Sequence, residues 1–212
     1  YLRYWEAIHI LDDAYENASS VQFIRASVGL LGALLQVAEF TRAQAEAEVL
    51  RRLAPADPEA LALVGDALWA GGLFDEAEEI YRDVLVLDPE SGSGRNGVAR
   101  SLATRHELED ALGWAQAAIV VEPEAAIFHH TLGHIYQRMR QFPSAADAYQ
   151  RYVDLLPTAT NLEKAEWARA EVQFLRSFGD RPAMELAEPG VIHTIPFRLI
   201  RDKVVVRGRV NG

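Results

Sequence analysis

Histidines are the side chains of this sequence that come closest to a metal-binding or catalytic pattern. His130 and His134 are four residues apart, so on a helix both rings would lie on one face, as in helices that bind zinc. The residues between them are Thr-Leu-Gly, without the glutamate that follows the first histidine of a zinc protease helix. His129 is adjacent, yet no third ligand is evident, and zinc needs three or four. The sequence therefore predicts a polar surface here and no metal site.

Other catalytic patterns are missing from the sequence. It has no cysteine, which excludes disulfides, thiolate zinc sites and cysteine nucleophiles. The stretch Gly92-Ser93-Gly94 lacks the lysine of a phosphate-binding loop. No set of serine, histidine and acid is recognisable by motif, and acidic pairs such as Asp75-Glu76 are typical of solvated helix faces. We expect no catalytic residue and no cofactor in the chain.

The charge of the chain is unevenly distributed. Net charge is −10, and residues 191–212 hold five basic side chains and one acid, so this tail carries +4 and the rest −14. An acidic body argues against nucleic-acid binding, because phosphate contacts need a basic face. No apolar run approaches the roughly 20 residues of a membrane helix. We expect no nucleic-acid and no membrane partner. The compartment stays open, because the chain begins at Tyr1 and a lost signal peptide is an alternative.

A repeat of 34 residues organises most of the sequence. Four prolines lie at this interval, and an alanine precedes each by twelve residues: Pro55, Pro89, Pro123 and Pro157, with Ala43, Ala77, Ala111 and Ala145. Within 58–91, Pro58 suits the first turn of a helix and Gly71-Gly72 ends it. Asp88 precedes a proline and so stops a second helix. The repeat predicts a pair of helices in each of four units, 24–57, 58–91, 92–125 and 126–159.

Small residues recur where the two helices of a pair must press together. On the first helix they are Gly65, Ala99 and Gly133, and on the second they are Ala77, Ala111 and Ala145. A larger side chain at such a contact overpacks the pair, at a cost of about 1–3 kcal/mol. The register thus predicts one tight helix–helix contact in each of three helix pairs.

These columns resemble the tetratricopeptide repeat (TPR) family over residues 24–157. The unit 58–91 carries the pattern best, with Leu61, Gly65, Leu68, Ala77, Tyr81 and Pro89. The pattern is weaker where Arg95 and Ala115 replace an apolar and an aromatic residue, and Leu31 stands where a small residue is usual. The resemblance implies an all-α, right-handed superhelical array of helical hairpins. Its concave groove, lined by the first helix of each pair, would hold an extended peptide or a partner helix.

Both ends of such an array need a cap. An apolar stripe over 1–15 predicts an N-terminal capping helix within residues 1–23, followed by a break at 16–20. Residues 160–178 are predicted to form a terminal solvating helix, and 179–190, with two prolines and Gly190, a linker.

The repeat register predicts which side chains point into the groove. They are Arg25, Gln36, Asp66, Trp69, Asn96, Arg100, Thr104, His130, His134, Gln137 and Arg138. Five of them, Asn96, Arg100, His130, His134 and Arg138, form a polar and basic cluster that could hold a carboxylate or a peptide backbone. The lysines and asparagines that TPR domains use to clamp chaperone tails are not reproduced. The alternative is a solvated lining without a dedicated ligand.

The last segment, 191–212, has a different pattern. Its β-branched residues, alternating after a turn at Arg201-Asp202, predict a β-hairpin that leads into Asn211-Gly212, a second turn signal. Residues 192–212 resemble the opening of retropepsin-like aspartic protease domains. The chain contains neither Asp-Thr-Gly nor Asp-Ser-Gly, so the resemblance supplies no catalytic residue. It implies a β domain that this sequence only begins.

Three functions compete at this stage. The chain is an interaction scaffold that binds a peptide or partner protein in its groove, as the N-terminal module of a larger protein. Alternatively, it is the non-catalytic part of a TPR-containing aspartic protease, a hydrolase whose array recruits substrate or promotes dimerisation. A third function is an adaptor that donates its last strand to a partner sheet. Because an exposed strand edge invites pairing, a homodimer through the C-terminal strands is a further prediction.

Overall fold

A computed structural model describes residues 5–6, 8–9, 20–156, 162–178, 197–200 and 203–206. The chain divides into two compact units, Tyr1–Asp180 and Arg181–Gly212. Over the described ranges, none of the helices has the length and apolar character needed to cross a bilayer.

The described part of the first unit is a series of nine helices besides the short helical pieces near its start. They are α1 Ser20–Gln36, α2 Phe40–Leu53, α3 Pro58–Ala70, α4 Phe74–Leu87, α5 Gly92–Thr104, α6 Leu108–Val121, α7 Ala126–Arg138, α8 Phe142–Leu155 and α9 Leu162–Phe178. The predicted all-helical array is confirmed, with one pair of helices in each 34-residue unit. One expectation was wrong: the break predicted over 16–20 does not extend to Ser20, which already belongs to α1.

The turn inside each helix pair repeats the same backbone conformation. Its second residue has a positive φ in all four pairs: Ala38, Gly72, His106 and Arg140. The third residue donates its N–H to a carbonyl five residues back, as Leu73 does to Leu68 at 3.0 Å. Only one of the four turns uses glycine, the residue that adopts this conformation without steric cost. The amino-acid sequence therefore indicates the turn at Gly72 clearly and the other three turns only weakly.

Contacts between helices define the two sides of the array. Each helix packs on the next one along the chain. In addition, α1 contacts α3, α3 contacts α5 and α5 contacts α7, whereas the even-numbered helices of this described part do not contact one another. The odd-numbered helices therefore lie closer together and form the inner, concave side.

The predicted tight contacts of the helix pairs are confirmed. Ala77, Ala111 and Ala145 are completely buried. A Cβ placed on Gly65 would lie 2.5 Å from Cε1 of Tyr81, so only glycine fits there. A second glycine, Gly97 of the following repeat, meets the same tyrosine ring and would overlap it with any side chain.

The ends of the array also carry apolar contacts. Ile8, in a helical piece before α1, is 1% exposed and belongs to the core cluster that contains Leu30 and Leu34. At the other end, α9 packs on α8 and buries Val172 and Leu175. Two apolar residues of α9, Trp167 and Phe174, remain half exposed.

The described residues of the second unit form two short strands, β1 Phe197–Ile200 and β2 Lys203–Val206. They pair antiparallel, with Phe197 opposite Val206 and Ile200 opposite Lys203. The predicted linker 179–190, the turn at Arg201-Asp202 and the final Asn211-Gly212 lie outside the described residues. The longer hairpin and the β domain predicted from 191–212 receive no support beyond these eight residues.

Candidate functional site

A cavity of about 410 Å³ opens on the concave side of the array. Among the described residues its lining comes from four of the odd-numbered helices, α1, α3, α5 and α7: Leu35, Gln36, Asp66, Trp69, Ala70, Arg100, Ala103, Thr104, Ile127, His130, Thr131, His134, Ile135 and Arg138. Apolar side chains make up much of this surface, and Ile127 is 50% exposed at its rim. We call this cavity the inner groove.

One wall of the inner groove is an ordered polar network. Asp66 Oδ1 accepts a hydrogen bond of 2.7 Å from the Tyr81 hydroxyl and another of 2.9 Å from Arg100 Nη1. The Arg100 guanidinium also stacks on the ring of Trp69, with Cζ 4.3 Å from the ring centroid. Burial raises the pKa of Tyr81, and the Asp66 carboxylate raises it further, so Tyr81 remains a donor. The network fixes Arg100 in place at the groove surface.

The inner groove lining contains a second guanidinium, that of Arg138. It donates to the carbonyl oxygen of Ala103 and contacts Nδ1 of His106 at 3.2 Å. Desolvation lowers the pKa of His134, and the positive charge of Arg138 lowers it further. The His134 imidazole is therefore mainly neutral at pH 7, whereas Arg100 and Arg138 place charged guanidinium groups in the groove lining.

His130 lies in a group of aromatic rings at the end of the inner groove. Its ring centroid is 5.1 Å from Tyr152, 5.6 Å from Tyr149 and 5.9 Å from Trp167. In the described part of the chain, no group of three or more histidine, aspartate or glutamate side chains is arranged to hold a metal ion. His130 thus contributes an aromatic surface to the groove.

Eight of the eleven predicted groove residues line the cavity: Gln36, Asp66, Trp69, Arg100, Thr104, His130, His134 and Arg138. Three do not. Arg25 is exposed on α1 and absent from the lining, and Asn96 is only 4% exposed, packed inside the array. Gln137 points toward α8 and α9, because it accepts from Tyr149 at 3.1 Å and donates to Glu171 at 2.7 Å. Asn96 therefore does not belong to the polar and basic cluster predicted at the groove, and the other four residues line the cavity.

The apolar residues of the inner groove were missed by the sequence analysis. Leu35, Ala103, Ile127 and Ile135 contribute to the lining, although only polar side chains and Trp69 were expected there. The signal was available, since Leu35, Trp69 and Ala103 occupy one column of the 34-residue repeat. A column that is apolar in three consecutive first helices indicates a continuous apolar floor.

Comparison with known proteins identifies the repeat. Residues 33–92 and 65–127 match the tetratricopeptide repeat family. The Hsp70-Hsp90 organizing protein of Triticum aestivum is 28% identical over 99 residues, which are 47% of this chain and 17% of that protein. The chain therefore aligns with less than a fifth of that relative. TPR repeats are present in this chain.

Solved structures show the same fold. A thermophilic TPR protein of Thermus thermophilus superposes with a TM-score of 0.68 at 15% identity, covering 81% of this chain and 91% of that one. The Cut9-Hcn1 hetero-tetramer of APC/C contains a chain with a TM-score of 0.67 at 18% identity, over 82% of this chain and 34% of that one. The type III secretion chaperone SycD of Yersinia enterocolitica, solved with a peptide of the translocator YopD, gives 0.50 at 11% identity, over 56% and 92%. These matches bring no support for the protease resemblance of residues 192–212.

Proposed function

We propose that this array of tetratricopeptide repeats is an interaction scaffold whose inner groove holds a segment of a partner protein. The observation that carries the proposal is a cavity on the concave side whose largely apolar surface includes two fixed guanidinium groups, those of Arg100 and Arg138. A pocket of this size suits one or two side chains of a partner, and its polar groups would set their orientation. The peptide-bound SycD structure supports such a use, since it shows a protein of this fold with a partner peptide.

The chemistry of the inner groove favours a segment with an apolar anchor and an acidic neighbour. The anchor would lie against Trp69, Ala103 and Ile127. Each guanidinium has five N–H donors, and Arg100 and Arg138 use only part of them within the described structure. Their remaining donors suit a carboxylate or a backbone carbonyl, and charge-assisted bonds of this kind contribute about 1.5–3 kcal/mol.

Asp66 limits how strongly the groove can hold an acidic ligand. Its carboxylate already neutralises part of the charge of Arg100, so a ligand carboxylate must share that arginine with Asp66. Arg138 has no acidic partner among the described residues. We therefore expect Arg138 to contribute more to ligand charge recognition than Arg100, while Arg100 and Trp69 provide a rigid surface.

A peptide-library experiment tests this function. Wild type is compared with Ile127→Asp, which places a charge at the exposed rim without breaking an internal bond, and with Arg100→Gln plus Arg138→Gln. We expect selected peptides to bind each variant at least about tenfold more weakly, the equivalent of 1.4 kcal/mol. The matched control is Arg151→Gln plus Arg169→Gln, two exposed arginines of α8 and α9 outside the cavity. Equal binding by all four proteins would remove the inner groove from the proposal.

Finer features of the array are proposals as well. We infer a right-handed superhelix with the helical segment of residues 1–23 and α9 as its caps. The burial of Ile8 and the packing of α9 on α8 support this arrangement. We do not propose the aspartic protease alternative, because no match supports it and the chain lacks both catalytic motifs. Dimerisation through the C-terminal strands stays a prediction.

A further inference from the structure

A second cavity, of about 460 Å³, lies on the other side of the array, between α2 and α4. Its lining is Glu48, Arg51, Arg52, Pro55, Leu61, Ile80, Asp83, Val86 and Leu87. Leu61 and Ile80 form a buried apolar floor, and Val86 stands at the rim with 80% of its surface exposed. We call this cavity the outer groove. It belongs to the joint between the first and second repeats.

The next joint along the array shows how the chain closes this groove elsewhere. The residue equivalent to Leu61, one repeat later, is Arg95. Its guanidinium donates to the carbonyl oxygens of Pro89 at 2.8 Å and Ala117 at 3.2 Å, so its side chain fills the corresponding space. Leu61 is too short to do so. The outer groove is therefore a property of the first joint and not a feature that every repeat shares.

The two walls of the outer groove carry opposite charges. The α2 wall ends in Arg51 and Arg52, and the α4 wall holds Asp83. Arg52 pairs with Glu48 on its own helix at 3.1 Å. Arg51 and Asp83 are exposed and make no ion pair within the described residues. An apolar centre is thus flanked by one unpaired basic and one unpaired acidic side chain.

We propose that the outer groove is a self-association surface that takes a second copy of this chain. In a twofold dimer the same patch meets itself, so it must be self-complementary. With α2 of one copy against α4 of the other, Arg51 would face Asp83 of the second copy twice, around a shared centre formed by Val86 and Leu87. A groove suited to an acidic or a basic peptide would carry one sign of charge. Charges of both signs on the two walls favour a second copy of this chain over such a peptide.

The outer and inner grooves have no lining residue in common, although α3 contributes Leu61 to the outer groove and Asp66 and Trp69 to the inner one. Self-association therefore does not depend on the proposed peptide binding, and a dimer of this kind leaves both inner grooves accessible. Two linked grooves would bind a partner with two recognition segments more tightly than one groove does, because the second contact becomes intramolecular.

Sedimentation equilibrium of the 212-residue protein, at physiological salt over the low to high micromolar range, tests the proposal. We expect a reversible dimer whose dissociation constant rises at least about tenfold in Val86→Asp. The matched control is Val120→Asp, the equivalent position of the next repeat, which is 82% exposed and outside the groove. This control should change the constant less than about twofold. Because both valines are exposed, neither change should unfold the protein.

Two further variants test the geometry. Leu61→Arg copies the closure seen with Arg95 and should prevent dimerisation, with a thermal melt to establish that the protein is folded. Arg51→Glu and Asp83→Lys should each weaken the dimer, while the double exchange should restore it, because the pair then has reversed signs. A protein that is monomeric throughout the range overturns the proposal. A dimer that Val86→Asp does not weaken also overturns the proposal, because its interface must lie elsewhere. A dimer that Val120→Asp weakens as much as Val86→Asp does would overturn it as well.

Discussion

The first and second joints between repeats use the same columns of the sequence but are held by different interactions. At the first joint, an apolar cluster runs from α1 to α4 and includes Leu31, Leu50 and Val64. At the second joint, arginines connect the repeats: Arg100 pairs with Asp66, and Arg105 pairs with Glu78. The first joint leaves an open groove on its outer side, whereas Arg95 closes the second. The repeat thus determines where the helices lie, and a few side chains determine whether the outer side of each joint is open or closed.

Successive joints also differ in the side chains that fill the contact between adjacent repeats. At the second joint, the ring of Tyr81 fits between Gly65 and Gly97 of adjacent repeats. The residue equivalent to Tyr81 one repeat later is Ala115, and the residue equivalent to Gly97 there is Thr131, which is buried. The large side chain of Tyr81 therefore faces a glycine on the neighbouring helix, whereas the small side chain of Ala115 corresponds to the larger Thr131 at that position. Close packing favours such compensation between neighbouring side chains.

Overpacking the core of the second joint should have the largest effect on stability. Ala111 is completely buried in the cluster that contains Tyr81 and Ala99. Ala111→Leu adds three carbon atoms to a site without space, and we expect it to lower the free energy of unfolding by about 3 kcal/mol. Thermal and urea unfolding measure the change. An unchanged melting temperature would contradict the register of the whole array.

Gly97→Ala should have the next largest effect. Its Cβ would overlap the ring of Tyr81, and we expect a loss of about 2 kcal/mol after the gain in helix propensity is included. In a Tyr81→Ala background the same change should be neutral or stabilising, because the pair then resembles Ala115 and its neighbour.

Gly113→Ala is the control for helix propensity. Gly113 is exposed in α6, and a Cβ there meets no atom within 4 Å, so we expect a stabilisation of about 0.5–1 kcal/mol. If Gly97→Ala stabilises the protein to the same extent, Tyr81 is not wedged against Gly97 and the contrast between the joints is lost.

A pH-dependent change should follow from the arginine contacts of the second joint. Burial by itself would raise the pKa of Glu78, but hydrogen bonds from Arg105 and Arg82 outweigh it, and the pKa lies below its ordinary value of 4.5. The ion pair therefore stabilises the fold above that value, and this contribution disappears as the pH falls through the lowered pKa. We expect Glu78→Gln to cost about 1–2 kcal/mol at pH 7.

The difference in free energy of unfolding between wild type and Glu78→Gln should shrink below about pH 4.5. In this range Glu78 of the unfolded chain binds a proton before Glu78 of the folded protein does. Urea unfolding from pH 7 down to pH 3 measures it. Glu109→Gln, an exposed position of α6, should show little difference at any pH. A constant gap across the range would mean that charge is not what Glu78 contributes.

The sequence predicted the array because one signal recurs in every unit. Proline, alanine and glycine at fixed intervals determine where helices end and touch, so the pairs followed from spacing alone. The turn residues Ala38, His106 and Arg140 gave no comparable signal, since their left-handed backbone is imposed by the helices on either side. Tertiary packing decides such positions, and local propensity does not.

The candidate site was predicted less completely, for a geometric reason. His130, His134 and Arg138 share one helical face, and all three line the inner groove. Gln137 is adjacent to that face, and its direction depends on α9, where Glu171 provides a partner. Helical spacing assigns a side chain to a sector of about 100° per residue. Helical spacing does not decide whether such a side chain points into the groove or toward the following helix.

Arg95→Leu should give the smallest effect on stability and the most direct test of the contrast between joints. Arg95 first suggested a weak repeat, because an apolar residue is expected there. In the structure it bonds to two carbonyl oxygens and pairs with exposed Glu90 at 3.0 Å. Exposed pairs contribute little, so we expect the free energy of unfolding to fall by only about 0.5 kcal/mol.

The same substitution gives the second joint the leucine of the first, and it should open a second outer groove. That groove would still differ from the first one in charge, because Leu85 and Ala117 stand where the first joint has Arg51 and Asp83. Arg95→Leu should therefore leave dimerisation of the protein unchanged in sedimentation equilibrium. Stronger association would show that an open apolar groove is sufficient by itself, and that the charges on the walls of the first outer groove do not select the partner.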